Sequence, residues 1–203
     1  KGKKAKENME RNFGMPNPEG YRKALRLMHQ ANKFGRPIIT FVDTPGAFCG
    51  KQAEERGQGE AIAKNLYEMM GFEVPILSIV ISEGGSGGAL GIAVANEVWM
   101  LENSIYSVIS PEGCASILWK DSSKVKEAAG VLKLTSYDLH EFKIIDKIVD
   151  ELGEGAHVTK NEIAKNMKDE ILGFIERFKG KSGEEIKEHR YKKFRKIGEY
   201  GIE

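Results

Sequence analysis

The sequence contains little cysteine, no long apolar run and almost no net charge. Cys49 and Cys114 are its only cysteines in 203 residues and form no CxxC pair, so neither a disulfide framework nor a structural zinc site is expected. No apolar run approaches the ~20 residues that a membrane helix needs, and the basic start precedes no apolar signal segment. The 31 Lys and Arg residues balance the 30 Asp and Glu residues, which disfavours nucleic acid or a membrane as partner. These absences predict a soluble, cytoplasmic protein.

The patterns that are present alternate between helix and strand. Apolar residues recur at helical spacing in four segments, at 21–28, 54–70, 89–95 and 162–178. Runs rich in β-branched and aromatic residues predict four short strands, at 38–42, 76–81, 98–101 and 105–109. Past Pro111 the chain turns largely helical, with a last helix after Gly183. This order predicts an α/β fold with a mostly parallel sheet, in which ligands gather at the carboxyl ends of the strands.

The most informative segment is Gly84-Gly85-Ser86-Gly87-Gly88, which follows the second predicted strand and opens an apolar helix. Glycine lets a ligand approach the main chain, and the first N–H groups of a helix lack partners. Such a turn therefore suits an anion or a developing oxyanion. A turn that only packs the helix against the strand is the alternative, but four glycines in five positions favour a site.

The same five residues match G-x-S-x-G, the nucleophile elbow of serine hydrolases. A triad on Ser86 would need an acid and a base, for which Asp146 with His157, or Asp138 with His140, are candidates. Neither histidine lies in a distinctive motif, which disfavours the triad.

A second turn, Asp43-Thr44-Pro45-Gly46, follows the first predicted strand. It resembles the DxxG segment of GTPases, but the Gly-Lys-Ser at 180–182 has neither the spacing nor the preceding strand of a phosphate-binding loop. Two interpretations stay open for Pro45–Phe48: a rigid turn, or a loop that lays main-chain donors across the crevice from the glycine cluster. Glu112 opens a later helix, where compensation of the helix dipole is favoured over acid–base chemistry.

Five segments together closely resemble the carboxyltransferase alpha subunits of acetyl-CoA carboxylase: 14–26, 43–46, 54–58, 83–90 and 106–120. The resemblance runs nearly end to end. It implies a crotonase-like (ClpP/crotonase) fold of repeated β-β-α units with C-terminal helices. It also implies a single domain over residues 1–203, with 160–203 as a helical extension, that lacks the family's N-terminal region.

The resemblance further implies partners and substrates. A β subunit of related fold would bring a zinc ribbon and share the active site in an α2β2 complex, while this chain would hold no metal. A biotin carboxyl carrier protein would present carboxybiotin to this chain, and acetyl-CoA would be held chiefly by the β subunit. The product would be malonyl-CoA, at the first committed step of fatty acid synthesis.

The resemblance also assigns roles to residues. The main-chain amides of Gly87 and Gly88 would form an oxyanion hole for the biotin ureido oxygen, and the freed biotin nitrogen would take the proton from acetyl-CoA. Substrate-binding roles would fall to Gly46, Ala47, Phe48, Gly84, Gly85, Ser86, Ala89 and Gly113. The chain departs from the family at Phe48 and Cys49, where tyrosine and proline are usual, so a hydroxyl at position 48 is expected to be dispensable.

Overall fold

A computed structural model describes residues 1–153 and 155–199. The helices of this part are α1 (Ala5–Glu10), α2 (Pro18–Lys33), α3 (Lys51–Glu55), α4 (Gln58–Gly71), α5 (Ser86–Leu90), α6 (Pro111–Leu118), α7 (Val125–Leu132), α8 (Ser136–Glu141), α9 (Lys160–Phe178) and α10 (Gly183–Lys196). The strands are β1 (Ile38–Thr44), β2 (Ile76–Gly85), β3 (Glu97–Leu101), β4 (Ile105–Ser107) and β5 (Lys147–Val149). In residues 1–153 and 155–199, no helix combines the length and apolarity that a bilayer crossing requires.

The five strands form one parallel sheet, in the order β1-β2-β3-β5, with β4 beside the end of β2. The central strand β2 therefore changes partner along its length. Its first part, Leu77–Val80, pairs with β3, and its last part, Glu83–Gly85, pairs with β4. This split opens the sheet where β2 ends, at the carboxyl end where a ligand is expected.

Both faces of the sheet are covered, which explains the continuous apolar run of β2. Ile76 and Val80 pack on one side with α2 and α4, whereas Leu77 and Ile79 pack on the other with α9 and the start of α10. Trp99 of β3 extends the second cluster and is 1% exposed. Successive strand residues point to opposite faces, so a strand buried on both sides must be apolar at nearly every position.

The sequence-based α/β prediction is confirmed, with corrections to four elements. The strand predicted at 105–109 is shorter and ends at Ser107. The strand predicted at 76–81 extends to Gly85, because β4 supplies hydrogen-bond partners to its glycine-containing end. The helix predicted at 89–95 instead spans Ser86–Leu90 and stops at Gly91, and residues 93–95 are buried coil before β3. The helix predicted at 54–70 is two helices, because Gly57 adopts φ 79° between them. The short strand β5 carries no clear pattern and was not predicted.

The helical extension predicted for 160–203 comprises α9 and α10, and residues 200–203 lie outside the described part of the chain. A Ser182/Glu185 capping box starts α10. The side chain of Arg190, fully buried, then ties α10 to the end of α4 and to the loop that precedes β2. The extension is thus fastened to the sheet by polar as well as apolar contacts.

Candidate functional site

Two turns meet main chain to main chain at the carboxyl ends of β1 and β2. A Cβ atom added to Gly85 would lie 1.9 Å from the carbonyl oxygen of Pro45, and one added to Gly88 would lie 2.2 Å from the nitrogen of Ala47. No side chain fits in such gaps. Glycine at 85 and 88 therefore lets the two turns touch and brings the Ala47 amide beside α5.

Hydrogen bonds to residues outside the two turns hold both turns in place. The amide of Phe48 donates to the carbonyl of Pro16 at 3.0 Å, and Gln58 Nε2 donates to the carbonyls of Pro16 and Phe48 at 2.9 and 2.7 Å. The hydroxyl of Tyr21 donates to the carbonyl of Gly88 at 2.9 Å and so reaches the second turn. The Phe48 amide is thus bonded to Pro16 and positions the turn, and the contact of Phe48 with a ligand stays a prediction.

The amides that remain belong to Ala47, Gly87 and Gly88. The Gly46 amide bonds Thr44 Oγ1 at 3.2 Å, whereas that of Ala47 has no hydrogen-bond partner among residues 1–153 and 155–199. Gly87 and Gly88 lie in the first turn of α5, where N–H groups have no intrahelical acceptor, and neither a capping side chain nor a described loop carbonyl accepts from them. The Ala47 amide thus lies beside the first turn of α5, where the amides of Gly87 and Gly88 have no intrahelical acceptor.

A cavity of about 540 Å³ opens beside α5, and Gly87 is the one of these three residues that lines it. Its walls come from α5, β4 and the distant helical segments: Ser86, Gly87, Leu90, Tyr106, Ser107, Val108, Leu132, Leu139, Ile144 and Ile197. The volume lies within the ~300–1,000 Å³ of small-molecule sites. Apart from the phenol of Tyr106 the lining has no ionisable side chain, so the cavity suits an apolar ligand body with a polar group against the main chain. Sequence reasoning missed its distant walls, since the apolar residues at 132, 139, 144 and 197 look like ordinary core positions.

Ser86 has the backbone of a nucleophile elbow but not its catalytic partners. It is exposed and adopts φ 55°, which is uncommon for a residue with a Cβ. In the described part of the chain no histidine hydrogen-bonds its hydroxyl, and the carboxylate of Asp146 accepts from the Val98 amide at 2.6 Å and from Lys193. Asp138 accepts from Thr135 Oγ1 at 2.6 Å. The structure therefore does not assemble the Ser-His-Asp alternative.

The other predicted site residues support the crevice more than they line it. A Cβ at Gly84 would lie 2.7 Å from the ring of Tyr106, so glycine there permits close packing against β4. Ala89 is fully buried in the core. The amide of Gly113 is bonded at 3.1 Å by the Ser110 side chain, which caps α6. None of these three residues lines the cavity, and their contact with a substrate stays a prediction.

Tyr106 is the one cavity residue whose ionisation can be predicted. Burial raises the pKa of its phenol to about 12. The group is therefore neutral at every pH below about 10, and cannot act as a base there. We expect Tyr106→Phe and the parent protein to give the same alkaline limb in a plot of kcat/KM against pH. A limb near the ordinary tyrosine pKa that disappears in the phenylalanine variant would contradict the neutral state.

Solved structures identify the class of this fold and crevice. The transcarboxylase 12S structure with methylmalonyl-coenzyme A and methylmalonic acid bound matches with a TM-score of 0.63 at 23% identity, over 68% of this chain and 29% of that one. The beta subunit of geranyl-CoA carboxylase from P. aeruginosa matches with a TM-score of 0.64 at 16% identity, over 79% of this chain and 32% of that one. At such identities the likeness establishes the fold. The chain has the crotonase fold of carboxyltransferases.

Sequence relatives then give the family. Residues 1–198 match the family described as "Acetyl co-enzyme A carboxylase carboxyltransferase-like". The carboxyl transferase subunit alpha of Clostridium perfringens (strain ATCC 13124) is 62% identical over 197 residues, which are 97% of this chain and 73% of that protein. A fused beta/alpha chain of Natranaerobius thermophilus is 60% identical over 200 residues, 98% of this chain and 33% of that one. The chain belongs to the acetyl-CoA carboxylase carboxyltransferase alpha subunits. Its function is the carboxyl-transfer half-reaction of acetyl-CoA carboxylase.

Proposed function

We propose that this chain receives carboxybiotin from a separate biotin carboxyl carrier protein and, together with a carboxyltransferase β subunit, passes the carboxylate to acetyl-CoA. The observation that carries the proposal is the contact between the Ala47 amide and the first turn of α5, where Gly87 lines the cavity. The apolar lining fits the hydrocarbon part of the biotin ring and arm, and the main-chain donors fit its ureido oxygen. Gly46, Phe48, Gly84, Gly85, Ser86 and Ala89 form or buttress the two turns that hold these donors, and Gly113 in α6 is proposed to bind the substrate as well.

The proposed chemistry depends on donors rather than on a base. The amides donate to the ureido oxygen, which gains negative charge as the carboxylate leaves. A correctly aligned donor of this kind contributes about 3 kcal/mol of transition-state stabilisation. Since the cavity lining offers no carboxylate, imidazole or amine, the proton of acetyl-CoA is best taken by the biotin nitrogen that the carboxylate vacates.

The partner arrangement follows from the same proposal. The relative from Natranaerobius thermophilus carries the beta and alpha subunits in one chain, which supports this arrangement. We propose an α2β2 complex in which the β subunit carries zinc and most contacts to acetyl-CoA, with residues 1–203 acting as one domain and 160–203 as its helical extension. Residues 1–153 and 155–199 offer no cluster of metal-ligating side chains of their own.

Reconstitution tests the proposal. We expect malonyl-CoA to form from acetyl-CoA and carboxylated carrier only when this protein and its β subunit are both present, because each contributes part of the site. Zinc measured by atomic absorption should be found with the purified β subunit. Substantial turnover by this chain alone would contradict the proposal, as would labelling of Ser86 by a fluorophosphonate probe, which reports a serine hydrolase.

A further inference from the structure

A second cavity, of about 550 Å³, lies next to the first and is basic where the first is apolar. Ile144 and Ile197 line the first cavity, and their sequence neighbours Lys143 and Lys196 line the second. Adjacent Cα atoms are only about 3.8 Å apart, so these lysines stand at the rim of the apolar cavity. Lys192, one helical turn before Lys196 on α10, lines the second cavity too.

The lysines come from two separate segments and are only partly neutralised. Lys192 pairs with Glu188 at 3.4 Å, whereas Lys143 and Lys196 form no salt bridge with any residue in the described ranges. Compensation of the helix dipole accounts for basic residues in the last turn of α10. The same compensation applies to Lys143, which follows the C-terminus of α8 with φ 57°, so the two helix ends bring their basic residues to one place. Positive charge thus converges on this rim in a chain whose formal net charge is only +1.

We propose that Lys143, Lys192 and Lys196 are a docking surface for an acidic face of the biotinylated carrier protein. The inference rests on the proposed function, in which a biotin arm enters the apolar cavity from outside. The body of the carrier must then lie against the rim of that cavity, where the lysines are. Phe142, which is 54% exposed beside Lys143, supplies an aromatic contact of the kind common in protein interfaces.

The second cavity fits an acidic protein face better than the phosphates of coenzyme A. Asp146 and Glu199 line it together with the lysines, and Lys193 is already bonded to Asp146. A compact polyphosphate placed inside would approach both carboxylates. An opposing protein surface can instead contact the outward lysines, where rim charges act mainly by steering the encounter.

Transfer kinetics with two biotin substrates test the docking surface. The α2β2 enzyme is assayed in reverse, with malonyl-CoA as carboxyl donor and either biotinylated carrier or free biocytin as acceptor. For the Lys143→Glu/Lys196→Glu variant we expect the KM for carrier to rise about tenfold and to depend less on salt, because electrostatic steering is lost. The kcat, and the parameters for biocytin, should stay at the parent values. The Lys143→Gln/Lys196→Gln variant should show a smaller rise.

Lys165→Glu is the matched control, since Lys165 is an exposed lysine of α9 that lines neither cavity. It should leave every parameter unchanged. An unaltered KM for carrier in the double charge-reversal variant would overturn the docking surface, and so would a rise confined to the KM for malonyl-CoA, which would assign the lysines to coenzyme A. Failure of the parent enzyme to carboxylate free biocytin would instead overturn the proposed function on which the surface rests.

Discussion

Gly87→Val should reduce kcat for malonyl-CoA formation about 100- to 1,000-fold without unfolding the protein, the effect expected from loss of one oxyanion donor. A Cβ atom at this position would meet only Ile62 Cγ2, at 3.9 Å, so the side chain has room. Gly87 also lines the cavity, so a valine side chain is expected to crowd a ligand that approaches the main chain there. Steady-state kinetics of the reconstituted enzyme, together with a thermal melt, measure both halves of this expectation. The kcat of Gly87→Ala should lie between that of the parent protein and that of Gly87→Val.

Gly88 cannot serve in the same test. A Cβ there would lie 2.2 Å from the Ala47 nitrogen and 2.6 Å from the Gly46 carbonyl carbon, so any side chain must separate the two turns. The matched control is Gly130→Val, because Gly130 is a helical glycine with open space around its Cβ direction. It should retain full activity. If Gly87→Val were as active as Gly130→Val, the α5 amides would not be donors to the reacting group.

The sequence predicts where this site lies better than it predicts which main-chain amides the site offers to a ligand. Both turns follow a continuous β-branched run, and the carboxyl ends of neighbouring parallel strands must lie together, so their meeting was predictable. Which amides are bonded and which stay unpaired was not predictable. Phe48 gives its N–H to Pro16, a contact across 32 residues that no local pattern encodes, whereas the neighbouring Ala47 amide stays unpaired.

The glycine cluster shows the same limit. Its composition indicates that the main chain is accessible. It does not predict which glycines leave room for a ligand and which leave room for a neighbouring segment of the chain. Gly85 faces Pro45 and Gly84 faces Tyr106, so both are needed for packing. Only Gly87 has free space beside it and lines the cavity. Those distinctions depend on the neighbours that tertiary folding brings in.

A buried cation holds the helical extension to the rest of the fold. Arg190 of α10 is fully buried and donates to the carbonyls of Met69, Phe72 and Val74 at 2.7, 2.8 and 2.8 Å. It also donates to Asn96 Oδ1 at 2.8 Å. Burial lowers the pKa of the guanidinium to about 10, yet the group remains charged at neutral pH. Its hydrogen bonds satisfy carbonyls at the end of α4 that have no intrahelical donor.

Arg190→Leu should therefore lower the free energy of unfolding by about 3–5 kcal/mol, since it removes one side of a buried, charge-assisted network and leaves the carbonyls unpaired. Urea denaturation measures the loss. Arg190→Lys keeps the charge but replaces the planar guanidinium by a single ammonium group. The stability of this variant should fall between that of the parent protein and that of Arg190→Leu. Arg195→Leu, on the exposed side of the same helix, should change the unfolding free energy by less than about 0.5 kcal/mol. Equal stabilities for the leucine variants at 190 and 195 would show that α10 is held by apolar contacts alone, because the guanidinium would then contribute nothing that packing does not.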